Sequence, residues 1–186
     1  SKMPGYAYNL PATECNVGAK LVQVPGSVCH GCYALKGRYR FPNVKEAMHR
    51  RLKSIDGPLW VETMAADINA RKSKYFRWHD SGDIQSLAHL KKIFDVCKLT
   101  PDVAHWIPTR ESGILSKLGP EEVPANLTIR LSATMVDGNA PKNSWHLTST
   151  VVTEGASCPA PKQGNECKSC RNCWDQSIKN IAYGKH

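Results

Sequence analysis

Apolar and polar positions along the middle of this chain follow two rhythms, one helical and one strand-like. NVKEAMHRRLKSI (43–55) has the helical period, with Asn43 read as its N-cap. PLWVETMAADINARK follows, and Pro58 marks a helix start. YFRWH (75–79) reads as a short strand and DSGD (80–83) as a turn. In SLAHLKKIFDVCKL (86–99), Leu87, Leu90, Phe94 and Cys97 share one helical face, which assigns Cys97 to the core. VAHWI (103–107), LTIRLSA (127–133) and HLTSTVV (146–152) are three further strands, and ESGILSKLG is a short helix after the first of them. Strands alternating with helices predict an α/β fold built on a parallel sheet. Four or five such units make an open sheet or a truncated, partial β/α barrel, too few for the eightfold closed form.

The ends differ from the middle. Residues 1–43 read as loop with scattered Pro and Gly, and residues 153–186 are polar and cysteine-rich. With 186 residues in all, the pattern predicts a single domain: a cysteine-rich N-terminal segment, an α/β core over 44–152 and a cysteine-rich C-terminal segment. Hydrophobic residues are 41% and charged residues 22%, enough to bury a core. No apolar run approaches the length of a membrane span, so no membrane partner is expected. SKMPGYAYNL lacks the apolar stretch of a signal peptide, and the expected location is cytoplasmic, where thiols stay reduced.

That expectation makes the eight cysteines informative. Disulfides would be the default in a secreted chain, but neighbours separated by two residues pair poorly with each other. At the C-terminal end the spacing is Cys158-x8-Cys167-x2-Cys170-x2-Cys173. Tetrahedral zinc sites usually combine two separate C-x2-C knuckles. Three thiols at successive two-residue gaps suit a [4Fe-4S] cubane better, because a short loop can wrap three iron corners. The bacterial ferredoxin run has this spacing together with a Cys-Pro pair, here Cys158-Pro159. Zinc is the alternative metal. Trp174, just after the run, is positioned to shield a cluster from solvent.

A second set, Cys15-x13-Cys29-x2-Cys32, has no obvious fourth thiol. It can hold a second cluster with one iron corner open to a substrate, a small cofactor or another residue. Alternatively, Cys29 and Cys32 join the C-terminal triplet around one shared cluster. His30 lies between two of these cysteines and is a further candidate ligand.

Polar residues gather where strands end, the face on which parallel α/β proteins place their sites. RWHDSGD supplies His79 and Asp80 for acid–base work, Ser81 as a nucleophile candidate, and Asp83. The next strand ends in IPTRE, where Arg110 can hold a carboxylate or phosphate between Thr109 and Glu111. LSAT places Ser132 and Thr134 at a third strand end. The net charge of +9 admits a nucleic acid or other polyanion as partner, although cluster binding would lower it to roughly +6. Tyr75, Phe76 and Trp78 belong to a strand and are assigned to the core. KGRYR (36–40), in a loop, is the better anion contact.

NLPA with its following cysteines, CYA, RWHDSGD, the P-T-R strand, RLSAT and the terminal cysteine run together resemble the phage gene-product-88-like proteins over nearly the whole chain. The resemblance implies a bacteriophage or prophage source and action in the infected cell's cytoplasm. That family is similar in apparent architecture to radical-SAM proteins. Cys29-His30-Gly31-Cys32-Tyr33 matches part of their three-cysteine motif, but the first gap here is thirteen residues where theirs is three. The similarity implies a cofactor-binding role for Ser81, Gly82, Asp83 and Thr109 toward S-adenosylmethionine, and an electron donor from the host.

Three functions follow. The first is an iron–sulfur protein, an enzyme of unidentified small-molecule substrate with its pocket at the strand ends. The second is an esterase-like hydrolase using HDSGD, with the cluster as scaffold. The third is a zinc-dependent nucleic-acid-binding module.

Overall fold

Phe76 and Trp78 point to one side of their strand and Tyr75 and Arg77 to the other, and this alternation divides the whole molecule. The structure, a computed structural model, describes residues 3–142 and 145–185. Among these residues six strands form one parallel sheet. They are β1 (Tyr6–Tyr8), β2 (Tyr75–Trp78), β3 (Ala104–Thr109), β4 (Leu127–Val136), β5 (Leu147–Val152) and β6 (Asn180–Gly184). Spatial order equals chain order, with every neighbouring pair parallel, so the sheet is open with β1 and β6 at its edges.

Helices α2 (Pro42–Ser54), α3 (Trp60–Ala70) and α4 (Leu87–Leu99) follow, preceded by the short α1 (Asn16–Leu21). A four-residue helix, α5 (Ser112–Leu115), follows β3. The core lies between the helices and one sheet face. Trp60 and Ile68 of α3 and Leu90, Ile93, Phe94 and Cys97 of α4 pack with Phe76, Trp78 and Ile107, all buried. Cys97 is thus a core residue, as its helical position predicts.

Three elements lie where loop or tail is expected. β1 and α1 fall within residues 1–43, and β6 emerges from the cysteine-rich tail. Asn43 is not the N-cap of α2. Pro42 takes the first helical position, Phe41 precedes it in an extended conformation, and the Asn43 side chain accepts from Val44 N–H. Pro58 likewise stands two residues before α3, whose N-cap is Leu59. LSAT is not a strand end, because β4 continues to Val136 through a register shift, and Ser132 pairs with Ser149 across strands, hydroxyl to hydroxyl at 2.9 Å.

Candidate metal centres

The N-terminal segment is laid over the C-terminal ends of β2, β3 and β4 by backbone hydrogen bonds. Leu10 N–H donates to the Ser81 carbonyl and His79 N–H to that of Tyr8. Val28 N–H donates to the Thr134 carbonyl, and Ser27 forms an antiparallel bridge with Met135. Between these ties, Val17 N–H donates to Glu111 Oε1 at 3.0 Å. The result gathers Cys15, Cys29 and Cys32 beside Asp83, Arg110 and Glu111, close enough for their charges to act on one another. A Cβ added to Gly18 would lie 3.6 Å from both the Cys15 and Cys29 sulfurs, so the missing side chain leaves room between the two thiols and α1. Burial raises the Cys15 thiol well above its ordinary range and raises that of Cys29 too, although Arg110 pulls Cys29 back down. His30 turns away: its Nδ1 meets the Val22 carbonyl at 2.9 Å.

Asp83 is a carboxylate whose charge acts on both Cys15 and Cys29. It accepts from Thr109 Oγ1 at 2.6 Å, from Arg110 N–H at 2.9 Å and from Ile84 N–H at 2.8 Å. Burial nevertheless pushes its pKa up to about 6, against the pull of those three donors. Arg110 itself extends from β3 to β4, its Nε donating to the Ala133 carbonyl. Thr109, Arg110 and Asp83 are therefore brought together as the strand-end reading expects.

The HDSGD segment is otherwise tied into the fold. Ser81 Oγ donates to the Leu10 carbonyl at 2.8 Å and touches Met48 Sδ. His79 is buried against Trp78 and His89, and neither of its ring nitrogens has a hydrogen-bond partner among the described residues. Burial holds its pKa well below the usual imidazole value. Ser81 and His79 are not a nucleophile–base pair in this arrangement. Asp80 faces elsewhere, accepting from Arg77 at 2.8 Å and from Tyr39 Oη at 2.7 Å, while Tyr33 Oη donates to its backbone carbonyl.

The second thiol group lies on the sheet face opposite the helices. The connection from β5 to β6 first lies along β6, where Ser157 and Cys158 N–H groups both donate to the Ala182 carbonyl. It then crosses to β2 and β3. Trp174 packs edge-on against Tyr75 and Trp106, each 5.3 Å away between ring centres, and its Nε1 donates to the Phe76 carbonyl. Cys158, Cys167, Cys170 and Cys173 line one pocket with Trp174 and Ile181. Cys173 is pushed up to about 11 by burial, with the Tyr183 hydroxyl 3.1 Å from its sulfur opposing the rise. Among the described residues no set of three or more Cys, His, Asp or Glu is arranged to hold a single metal ion.

Two arginines without an assigned role in the sequence pattern organise this face. Arg130 is fully buried in β4. Its guanidinium donates to the carbonyls of Asn172, Cys173, Asp175 and Ile178, at 2.7 to 3.1 Å, and to no carboxylate. Arg77 of β2 lies over the Trp106 ring at 4.6 Å. It pairs with Asp80 on one side, and its charge acts on Cys173 and Tyr183 on the other. Their signal in the sequence is an arginine inside an apolar strand run, YFRW and LTIRL, where a charge must find a partner.

These features define a parallel α/β protein with a thiol–carboxylate cluster at its strand ends and a four-thiol pocket on the opposite sheet face. The sequence matches the gene product 88 family over residues 1–176, and the chain belongs to that phage-type family. No curated protein and no solved structure matches the chain. No helix among the described residues is long and apolar enough to cross a membrane.

Proposed function

We propose that the chain is an iron–sulfur protein with a truncated, radical-SAM-like β/α architecture. Cys158, Cys167, Cys170 and Cys173 would hold a [4Fe-4S] cluster, and Cys15, Cys29 and Cys32 a second one with an open corner. The observation that carries this reading is Arg130, a buried cation hydrogen-bonded only to neutral carbonyls, that of Cys173 among them, in the segment that lines the four-thiol pocket. A buried charge with no carboxylate bonded to it is costly. The Asp175 carboxylate reaches Arg130 only through space, and a cubane carried by four thiolates, with a net charge of about −2, would add counter-charge through Cys173. Zinc on four thiolates would have the same charge, but the C-x2-C-x2-C run favours the larger cluster.

The group would supply one-electron chemistry at the strand ends, or structural closure of the tail at the opposite face. Around the trio, Arg110 offsets thiolate charge at Cys29, and Asp83 offers a carboxylate held by Thr109 and two backbone donors. An open corner there would admit a substrate or the methionine part of S-adenosylmethionine, toward which Ser81, Gly82, Asp83 and Thr109 would be the binding residues. The esterase-like reading has no support in the geometry, because the Ser81 hydroxyl is already bonded to the Leu10 carbonyl.

Iron, zinc and acid-labile sulfide are to be measured per chain after anaerobic purification. About four irons with equal sulfide is expected if the quartet alone is loaded, and about eight if both sets are. Zinc without sulfide, or a colourless protein with neither, overturns the reading.

A further inference from the structure

The charge of this chain is concentrated beside the three-thiol site. Residues 36–53 contain seven basic side chains and one acid, Glu46, so this stretch carries +6 of the chain's +9. It comprises the turn Gly37–Arg40 and helix α2, which pack together. Lys36, Arg38, Arg40, Lys45, Arg50 and Lys53 are exposed, and none joins an ion pair among the described residues. Two aromatic rings lie open among these bases: Phe41 is 54% exposed and Tyr33 49%.

The ledge is fastened to the site. Tyr33 follows Cys32 directly, and its hydroxyl donates to the Asp80 carbonyl. Tyr39, in the basic turn, donates to the Asp80 carboxylate at 2.7 Å, and the two tyrosine rings stand 5.9 Å apart. Whatever binds the ledge is therefore held at the mouth of the trio. The apolar side of α2, with Met48 and Leu52, faces the core and is not free to enter a lipid surface. Positive charge interleaved with open planar rings fits phosphates alternating with unstacked bases.

We propose that this ledge docks single-stranded nucleic acid, with phosphates on Lys36, Arg38 and Arg40 and bases stacked on Tyr33 and Phe41. The further claim, that this nucleic acid is the substrate presented to the three-thiol site, rests on the iron–sulfur reading. The docking itself uses no thiol.

The test is binding of a fluorescently labelled single-stranded oligonucleotide to the full chain, by anisotropy across a salt series, with iron measured on the same samples. The wild type is expected to bind with an affinity that falls steeply with salt. Replacing Lys36, Arg38 and Arg40 together by Ala is expected to reduce the slope of log affinity against log salt by about 2. Phe41→Ala is expected to weaken binding roughly tenfold with the slope unchanged. Far-UV circular dichroism on each variant establishes that the chain remains folded. An unchanged slope in the folded triple variant overturns the proposal. So does equal affinity for a duplex, for inorganic polyphosphate or for vesicles containing phosphatidylserine. Oligonucleotide binding by samples without iron leaves docking intact and removes the cluster reading alone. Iron-loaded samples that do not bind remove the docking alone.

Discussion

Gly82 adopts φ +81°, and a Cβ placed there would lie 2.5 Å from the Leu10 Cβ and 2.9 Å from its carbonyl carbon and oxygen. The contact is with backbone, which cannot swing aside, so the crossing of the β1 and β2 ends requires glycine. Gly82→Ala is expected to cost about 3 kcal/mol, from left-handed strain plus displacement of Leu10. Gly155→Ala is the control, because Gly155 has φ +71° but open space around it, and about 1 kcal/mol is expected there. Urea denaturation of both variants measures the difference, and equal losses would show that the Leu10 contact is unimportant. Arg130 is the second residue whose role is specific. Arg130→Met leaves the carbonyls of Asn172, Cys173, Asp175 and Ile178 without their donor. A loss of about 3 kcal/mol is expected, together with reduced iron per chain if the quartet is loaded. Full iron content in a folded Arg130→Met protein would remove Arg130 from the argument for a cluster.

Helix α4 shows what a local pattern can specify. Its apolar face predicts both its extent and the burial of Cys97, and the one boundary adjustment is that Ser86 caps the helix from outside. The Ser86 hydroxyl accepts from His89 N–H at 3.0 Å. Ser86→Ala should therefore destabilise the protein by about 1 kcal/mol, whereas Ser86→Asp should retain most of the stability, as read from thermal melting. Strands β2 to β5 were legible for the same reason, since each alternates or runs apolar over its own length. β1 and β6 were not. YAY is three residues long with two of them exposed, and NIAYG has only Ile181 buried, so both edge strands depend on a neighbour for their definition. The strand-end group of Asp83, Thr109 and Arg110 was legible because parallel sheets place such residues together. The spacing of the seven thiols already offers a trio and a quartet, but it leaves open a single set shared by both ends, because that choice depends on which sheet face the β5–β6 connection crosses.

At the scale of the whole molecule, the two sheet faces divide the labour. One carries the helices and the apolar core, and the other carries arginines, tyrosines and thiols. The core side contains three imidazoles, His79, His89 and His105, all buried. Thr100 Oγ1 donates to the Val96 carbonyl at 2.8 Å, so in the 2.8 Å contact with His105 Nε2 the imidazole is the donor. Burial holds His89 and His105 at about 4, and His79 well below its usual value, with Lys92 near His89 and Arg77 near His79 adding to the effect. Between pH 6.5 and 4 the unfolded chain therefore takes up protons at these rings that the folded chain does not, and stability falls as pH falls. Asp83 acts oppositely. Its folded pKa of about 6 lies above the unfolded value of 3.8, so the folded chain binds its proton first and gains stability as pH drops through that window. Each of His89 and His105 contributes a loss of about 2 kcal/mol by pH 5, and Asp83 returns about 1. The expected net change from pH 7 to pH 5 is a loss of about 3 kcal/mol, larger once His79 is included. Urea midpoints at the two pH values measure it, and His105→Gln, which keeps a donor toward Thr100, should make the pH dependence shallower. A midpoint that rises on acidification would mean that Asp83 outweighs the imidazoles, and that the buried rings already meet a proton acceptor in the folded chain.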